Sequence, residues 1–165
     1  MSSTTAPAGF SRAQVFLHWL IAGLILFQLL VHDGMEEAWR ALRRGTEDGG
    51  NPLPHIIVGS AILILAAVRL VIRLRHGAPP HPAGQPAALG LLANVVHWGI
   101  YALLFMIPIS GLVAWFGGVE GAAMAHGGPL RLALIGLVLL HIAGALVQQL
   151  VLRSGVLMRM LKPES

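Results

Sequence analysis

The chain has 165 residues, of which 56% are apolar and only 11% charged, whereas a soluble domain carries roughly 25% charged residues. This composition excludes an ordinary water-soluble globular protein and predicts one that sits in a lipid bilayer; the absence of cysteine excludes disulfides and cysteine-ligated metal sites. The formal charge is +4, and the basic residues lie between apolar runs, which indicates membrane orientation rather than nucleic-acid binding.

Four apolar runs follow one another, each close to the ~20 residues that a helix needs to cross ~30 Å of hydrocarbon. They cover residues 15–31, 54–74, 89–116 and 129–152. Pro54 suits the first turn of the second run, and Pro108 is expected to kink the third. The start of the chain lacks the positive charge of a secretory signal, so the first run is interpreted as a retained helix. The sequence predicts an all-α, integral membrane four-helix bundle with up-down-up-down topology, a single domain over residues 1–165.

The segments between these runs are polar or rich in helix-breaking residues. Residues 33–53 mix acidic and basic side chains, and a short amphipathic helix is expected at 36–44. Residues 76–88 are rich in proline and glycine, which predicts an irregular loop. Residues 117–128 are glycine-rich and almost uncharged, and a second loop is expected there.

Arginine and lysine near the helix ends indicate the orientation in the membrane. One side of the predicted bundle collects Arg12, Arg73, Arg75, Arg153, Arg159 and Lys162. The other side collects Arg40, Arg43, Arg44 and Arg131, offset by six carboxylates. The first side is therefore expected to face the cytoplasm, with both termini inside.

Four of the eight histidines lie within predicted spans, one in each: His18, His55, His97 and His141. Polar groups in a membrane span are costly and usually face the interior with a partner. A shared metal cofactor explains the coincidence, because neutral imidazole is the commonest metal ligand, and haem iron in an electron-transfer site accepts two axial ligands. Four ligands predict two haems. The remaining histidines are interpreted as solvated or interfacial residues: His32, His76, His81 and His126.

The depth of each histidine follows from the helical rise of ~1.5 Å per residue. Measured from the basic side, His18 and His97 are ~9 and ~13 Å deep, and His141 and His55 are ~18 and ~27 Å deep. The predicted pairs are therefore His18 with His97 and His55 with His141, across the two diagonals of the bundle. Ala22, Gly59, Gly144 and Ala145, one helical turn after a ligand, would leave room for a porphyrin, although small residues are also common between membrane helices. Candidate partners for haem propionates are Arg12, Arg69, Arg73 and Arg131.

All four spans resemble one known family. FSRAQVFLHWLIAGLIL, LPHIIVGSAILILAAVRLVIRL, VVHWGIYALLFMIPISGLV and LLHIAGALVQQLVLRSGVLMRM are similar, in that order, to the four helices of bacterial cytochrome b561. The resemblance implies a di-haem b membrane cytochrome whose ligands fall on the four histidines already named. Many members carry an extra histidine two turns after the ligand of the fourth helix, where this chain has Gln148 and Gln149.

Three functional hypotheses follow from the residues and the resemblance. The first is a quinone-linked oxidoreductase that moves single electrons between the outer face and the quinone pool; some relatives oxidise superoxide and reduce ubiquinone. In that case Arg40, Arg43, Arg44 or Arg131 would attract a small anion, although each could simply solubilise its loop. The second is a membrane anchor that relays electrons for a soluble dehydrogenase or hydrogenase. In the third, the histidines are structural and no haem binds.

Overall fold

A computed structural model describes residues 9–46, 48–82 and 85–162, and these residues form helices and loops without strands. The helices are α1 (Arg12–Leu30), α2 (Asp33–Arg44), α3 (Leu53–His76), α4 (Ala87–Gly117), α5 (Glu120–Ala125), α6 (Arg131–Leu150) and α7 (Val156–Arg159), with a π-helical turn (His126–Leu130) between α5 and α6. Four segments are long and apolar enough to cross a membrane: α1, α3, α4 and the continuous segment Glu120–Leu150. The predicted all-α membrane bundle is confirmed.

The first span begins three residues earlier than predicted because Ser11 caps it. The Ser11 hydroxyl accepts a hydrogen bond from the backbone N–H of Gln14, and the Gln14 side chain accepts one from the backbone N–H of Ser11. This reciprocal arrangement satisfies two of the N–H groups that a helix start leaves free. Gln14 is buried, and its amide donates to the carbonyl of Gly77 at 3.0 Å, which ties α1 to the end of α3.

The spans pack in chain order, as expected for up-down-up-down connectivity. α1 packs against α3, α3 against α4, and α4 against α6, whereas α6 makes at most sparse backbone contact with α1 or α3. The buried centre of the bundle consists of Ile21, Ile62, Ala66 and Leu104 from the first three spans. α6 buries only Leu134, so most of its surface is available to lipid or to another apolar group.

The fourth span is longer than predicted, and the loop expected at 117–128 is wrong for most of its length. The helical segment begins at Glu120 and continues through the π-helical turn, instead of starting at Pro129. Proline has no N–H for the helical ladder, and the segment kinks immediately before Pro129. Gly128, with φ −104° and ψ −106°, lies outside the helical region of backbone conformation. As a result, His126 belongs to the fourth span.

The helix expected near residues 36–44 is confirmed, and it extends to Asp33–Arg44. It ends at Gly45 in the left-handed conformation (φ 68°), which glycine adopts without steric cost. Arg43 forms an ion pair with Glu120 at 2.8 Å, and the rings of Trp39 and Trp115 lie 6.4 Å apart. α2 therefore covers one end of the bundle, which we call the α2 end.

The opposite end, which carries the start of α1 and the end of α6, is called the terminal end. Its connection between α3 and α4 is irregular wherever the structure describes it, as predicted for residues 76–88. α7, which the sequence pattern did not predict, lies at this end. The indole N–H of Trp19 donates to the carbonyl of Met160 at 2.8 Å, and the Arg159 guanidinium donates to the carbonyl of Pro80 at 3.1 Å. The C-terminal segment is thus attached both to α1 and to this connection.

Candidate functional site

Two histidine rings face each other at the α2 end. His55 is the third residue of α3, and His126 opens the π-helical turn. Their ring centroids lie 5.8 Å apart, with the ring planes at 66°. We call these two residues the α2-end pair.

The backbone of α4 fixes the orientation of the His126 ring. Nδ1 of His126 lies 2.7 Å from the carbonyl oxygen of Ile107, and the Ser110 hydroxyl donates to the same carbonyl at 2.8 Å. A carbonyl can only accept, so Nδ1 carries the proton and Nε2 presents its lone pair. Metal-ligating histidines are typically oriented by such a hydrogen bond from the second ring nitrogen.

Gly111 provides the space in which this ring lies. A methyl group at Gly111 would come within 2.8 Å of Cε1 of His126, closer than real contacts allow. Gly111 stands three residues after Pro108, which lacks the N–H that would bond the carbonyl of Leu104. The proline–x–x–glycine segment of the third span therefore forms the surface against which the His126 ring packs.

His55 is positioned by the first span. The side-chain amide of Gln28 donates to the backbone carbonyl of His55 at 2.9 Å, and Gly59 lies one turn further along α3, close to the same amide. Nδ1 of His55 is buried and has no hydrogen-bond partner within the described residues. A buried, unpaired imidazole nitrogen is costly, and it marks a position where an additional group would be accommodated.

A cavity of about 380 Å³ lies at the α2-end pair. Its walls are largely apolar and come from all four spans and from α2, with Leu104, Trp39 and Trp115 among them. The polar groups at its edge are few: Gln28, His32, Glu36, Ser60, Glu120 and Arg131. An apolar cavity of this size with a few convergent polar groups is typical of a cofactor site.

Three further histidines meet at the terminal end. The ring of His141 on α6 lies 6.0 Å from the ring of His18 on α1 and 5.1 Å from the ring of His97 on α4. All three are partly buried. We call them the terminal-end cluster. Arg69 of α3 is close enough to all three rings to interact with them electrostatically.

The other predicted arginines are distributed over both ends. Arg73 stacks over the rings of Trp98 and Tyr101, 5.8 and 5.7 Å from their centroids. Arg12 is exposed at the start of α1. Arg131 lies at the edge of the α2-end cavity. The structure thus places Arg69 and Arg73 near one histidine group and Arg131 near the other.

The structure groups the histidines differently from the sequence-based pairs. The predicted partners His55 and His141 belong to different groups, since His55 faces His126. His18 and His97 belong to the same group, as predicted, but both of their ring contacts are to His141. The ring contacts do not identify the haem ligands. They favour pairs other than those inferred from depth.

The sequence pattern does not include His126 in a span, because the predicted fourth span begins at Pro129. The spacing nevertheless contains a signal. His126 and His141 are fifteen residues apart, close to four turns of an ideal helix, which would put both near one face about 22 Å apart in the absence of the kink at Gly128. Two histidines on one face at that distance indicate two sites at two depths.

The residues present at both ends fit haem. A metal–imidazole bond is about 2 Å long, so two imidazoles on opposite sides of one metal have ring centroids about 6 Å apart. The 5.8 Å of His55–His126 and the 6.0 Å of His18–His141 agree with this separation. Each of these pairs also joins α6, or the turn before it, to a helix with which α6 is not closely packed. His97 and His141, by contrast, lie on the closely packed helices α4 and α6.

An all-helical membrane bundle with facing imidazoles at both ends has the architecture of a membrane cytochrome of the b type. Comparison with known proteins identifies the family: residues 9–163 match the model of prokaryotic cytochrome b561, and the chain belongs to this family. It is 36% identical over 162 residues to cytochrome b562 of Cereibacter sphaeroides, an alignment that covers 96% of this chain and 99% of that protein. It is also 34% identical over 109 residues to the probable superoxide oxidase CybB of Yersinia pestis, covering 62% of this chain and 56% of that protein.

Proposed function

We propose that this cytochrome carries single electrons through two haem b groups, from a donor at the α2 end to a quinone. The observation that carries the proposal is the separation of the histidines into the α2-end pair and the terminal-end cluster, on either side of the bundle centre. The multi-pass fold, the family and the electron-transfer role do not depend on this proposal.

We propose His55 and His126 as the axial ligands at the α2 end, and His18 and His141 as those at the terminal end. Ring separation and the loose packing of α6 against α1 and α3 support these pairs over the pairs expected from depth alone. His97 then remains beside the terminal site as a neighbour of His141. His18 with His97 is the alternative pair at that end.

A bound haem would supply reversible one-electron chemistry at iron, and each residue around it has its own role. The Ile107 carbonyl keeps His126 in one tautomer and one orientation. The apolar walls of the cavity exclude water and lower the local polarity, which tunes the redox potential. Two histidines per iron would leave no open position, so that electrons would enter and leave at the haem edge.

Superoxide is the donor that we propose at the α2 end, because the similar protein of Yersinia pestis is named as a probable superoxide oxidase. Basic side chains can raise the local concentration of a small anion. Two of the arginines that could attract superoxide already have acidic partners. Arg43 is paired with Glu120 at 2.8 Å, and Arg40 lies 3.7 Å from Glu36. Arg131, at the edge of the cavity, forms no ion pair with any described residue.

We propose ubiquinone as the acceptor, with the terminal end on the cytoplasmic side of a bacterial inner membrane. The basic residues at the ends of α3 and α7 support this orientation by the positive-inside rule. Gln148 and Gln149 stand where the resemblance implies an extra histidine, and the contacts of Gln148 show how one of these amides is held. The side-chain oxygen of Gln148 accepts a hydrogen bond from Ser154 at 2.7 Å, so an amide is held there in place of an imidazole.

A reduced-minus-oxidised absorption spectrum of the purified chain, with its haem-to-protein ratio, tests the cofactor proposal. We expect sharp bands of six-coordinate haem b and two haems per chain. A colourless preparation from haem-replete cells would contradict it and leave the histidines structural.

Direct reduction of the purified protein by enzymatically generated superoxide, followed by reoxidation with a short-chain ubiquinone, tests the activity. If neither reaction proceeds in a preparation with two haems, the chain instead relays electrons for a soluble dehydrogenase or hydrogenase.

A further inference from the structure

The charges of this protein are distributed unequally between its two ends. Six of the seven carboxylates belong to residues 33–48 or to Glu120, and the seventh is Glu164 near the C-terminus. All ion pairs among the described residues lie at the α2 end. The terminal half of α3, by contrast, carries Arg69 and Arg73, and neither has a carboxylate within ion-pair distance in the described chain.

Arg69 lies inside the membrane-spanning length of α3, seven residues before its end. Its guanidinium donates to the backbone carbonyl of Gln14 on α1 and is partly buried. An arginine at this position is expensive, and such residues usually pair with an anion or line a functional path. One backbone carbonyl uses one of its five donors and none of its charge.

Arg73 and Tyr101 extend the same cluster. The Arg73 guanidinium stacks over the Tyr101 ring at 5.7 Å, and the buried Tyr101 hydroxyl lies beside Arg69. Within the described residues this hydroxyl has no acceptor for its proton. Two cations and one free O–H donor therefore meet next to the terminal-end cluster, which is the donor set that a carboxylate requires.

The α2-end cavity offers a nearly balanced set of charges. Glu36, Glu120 and Arg131 all line it, and Arg43 neutralises Glu120 from outside. Placing one electron on a site lowers its net charge by one. A nearby cation favours that change, whereas surroundings with balanced charges do not. At the effective dielectric of a protein, the difference in electrostatic energy is several kcal/mol at most.

On the basis of the proposed function, we propose that Arg69, Arg73 and Tyr101 bind a haem carboxylate at the terminal end and give this haem the higher reduction potential. One electron would then pass from a reduced haem held at the α2 end to an oxidised haem held at the terminal end. The first haem would be oxidised and the second reduced, with no need for a proton or another co-reactant. The direction of electron flow would thus be set by two arginines of one helix.

Potentiometric titration of the haem bands in Arg69→Gln and Arg73→Gln, beside the unchanged protein, tests this inference. We expect the reduction potential of the terminal haem to fall. The equilibrium constant for its reduction should drop at least tenfold, which corresponds to about 59 mV for one electron. The other haem should keep its potential. Arg75→Gln is the matched control, since it removes the same charge from an exposed position two residues after Arg73.

The conservative variant Arg69→Lys keeps the result interpretable if Arg69→Gln loses the terminal haem. We expect Arg69→Lys to retain both haems, with a smaller shift, because a lysine keeps the charge but not the planar donor fork. Two haems with unchanged potentials in both glutamine variants would overturn the inference and leave the proposed function intact. A chain that binds no haem before any substitution would overturn the proposed function itself.

Discussion

The Nδ1 atom of His126 lies 2.7 Å from the carbonyl oxygen of Ile107, which belongs to a different span. This contact joins the turn before α6 to the residue of α4 that directly precedes Pro108. It also leaves Nε2 of His126 with its lone pair available, in a ring whose centroid lies 5.8 Å from that of His55. A residue that sequence analysis treated as part of a loop is therefore one of the best oriented imidazoles of the protein.

His126→Ala is expected to remove the same haem as His55→Ala, because each variant deletes one of the two facing imidazoles. The haem-to-protein ratio should fall from two to one in both cases, with the same part of the spectrum lost. His76→Ala, at an exposed histidine at the end of α3, is the control and should keep two haems. Full haem content in His126→Ala would exclude it as a ligand.

Gly111→Ala tests the surface against which the His126 ring packs, without replacing a proposed ligand. The added methyl group would lie 2.8 Å from Cε1 of His126 and should push the ring away, so we expect a weakened or absent α2-end haem. Glycine to alanine within a helix is by itself favourable by about 1 kcal/mol, so that a loss cannot come from helix propensity. Gly23→Ala, where the methyl group meets nothing within 4 Å, should bind both haems normally.

The terminal-end cluster contains three imidazoles, of which two are proposed to bind one iron. His18→Ala and His141→Ala should each abolish the terminal haem, whereas His97→Ala should keep two haems with a shifted spectrum or potential. The measurement is again the haem ratio, with a redox titration of the remaining bands. Loss of the terminal haem in His97→Ala together with its retention in His141→Ala would restore the pair His18–His97.

Trp19→Phe removes the hydrogen bond that attaches the C-terminal segment to α1. A single hydrogen bond of this kind contributes about 0.5–1.5 kcal/mol, so the bundle should stay folded and keep its haems. Limited proteolysis should cut the segment around α7 faster than in the unchanged protein. Phe16→Leu, at a neighbouring exposed position, is the control, and equal cleavage rates in all three proteins would contradict the role of Trp19.

The spans were predictable from sequence because each helix that crosses a bilayer needs its own run of apolar residues, whatever its packing against the other helices. The start of the fourth span was not, because Gly128 and Pro129 have the appearance of a loop. The helix kinks at these residues, and helical structure on both sides of the kink is visible only once the chain is folded. The amphipathic α2 was predicted from its mixture of acidic and basic side chains, whereas α7 is too short to produce a recognisable pattern.

The grouping of the histidines depends on lateral packing, which depth along a helix does not contain. Depth correctly puts His18 and His55 at different ends of the bundle. It cannot show that α6 stands apart from α1 and α3 while packing against α4, and this arrangement is what brings His141 opposite His18. The pairs inferred from depth remain untested as ligand assignments, and the variants above distinguish them from the pairs favoured here.

His126 and His141 belong to one membrane-spanning segment, on either side of the kink at Gly128, and haems bound there as proposed would make electron transfer sensitive to membrane voltage. For an ideal helix, fifteen residues correspond to about 22 Å along an axis that crosses ~30 Å of hydrocarbon. An electron moving between haems held there would travel through most of the transmembrane field, where a full crossing is worth about 2.3 kcal/mol per 100 mV. In a cell whose interior is negative, inward transfer works against that field. An energised membrane would therefore slow this cytochrome, and a discharged one would let it run.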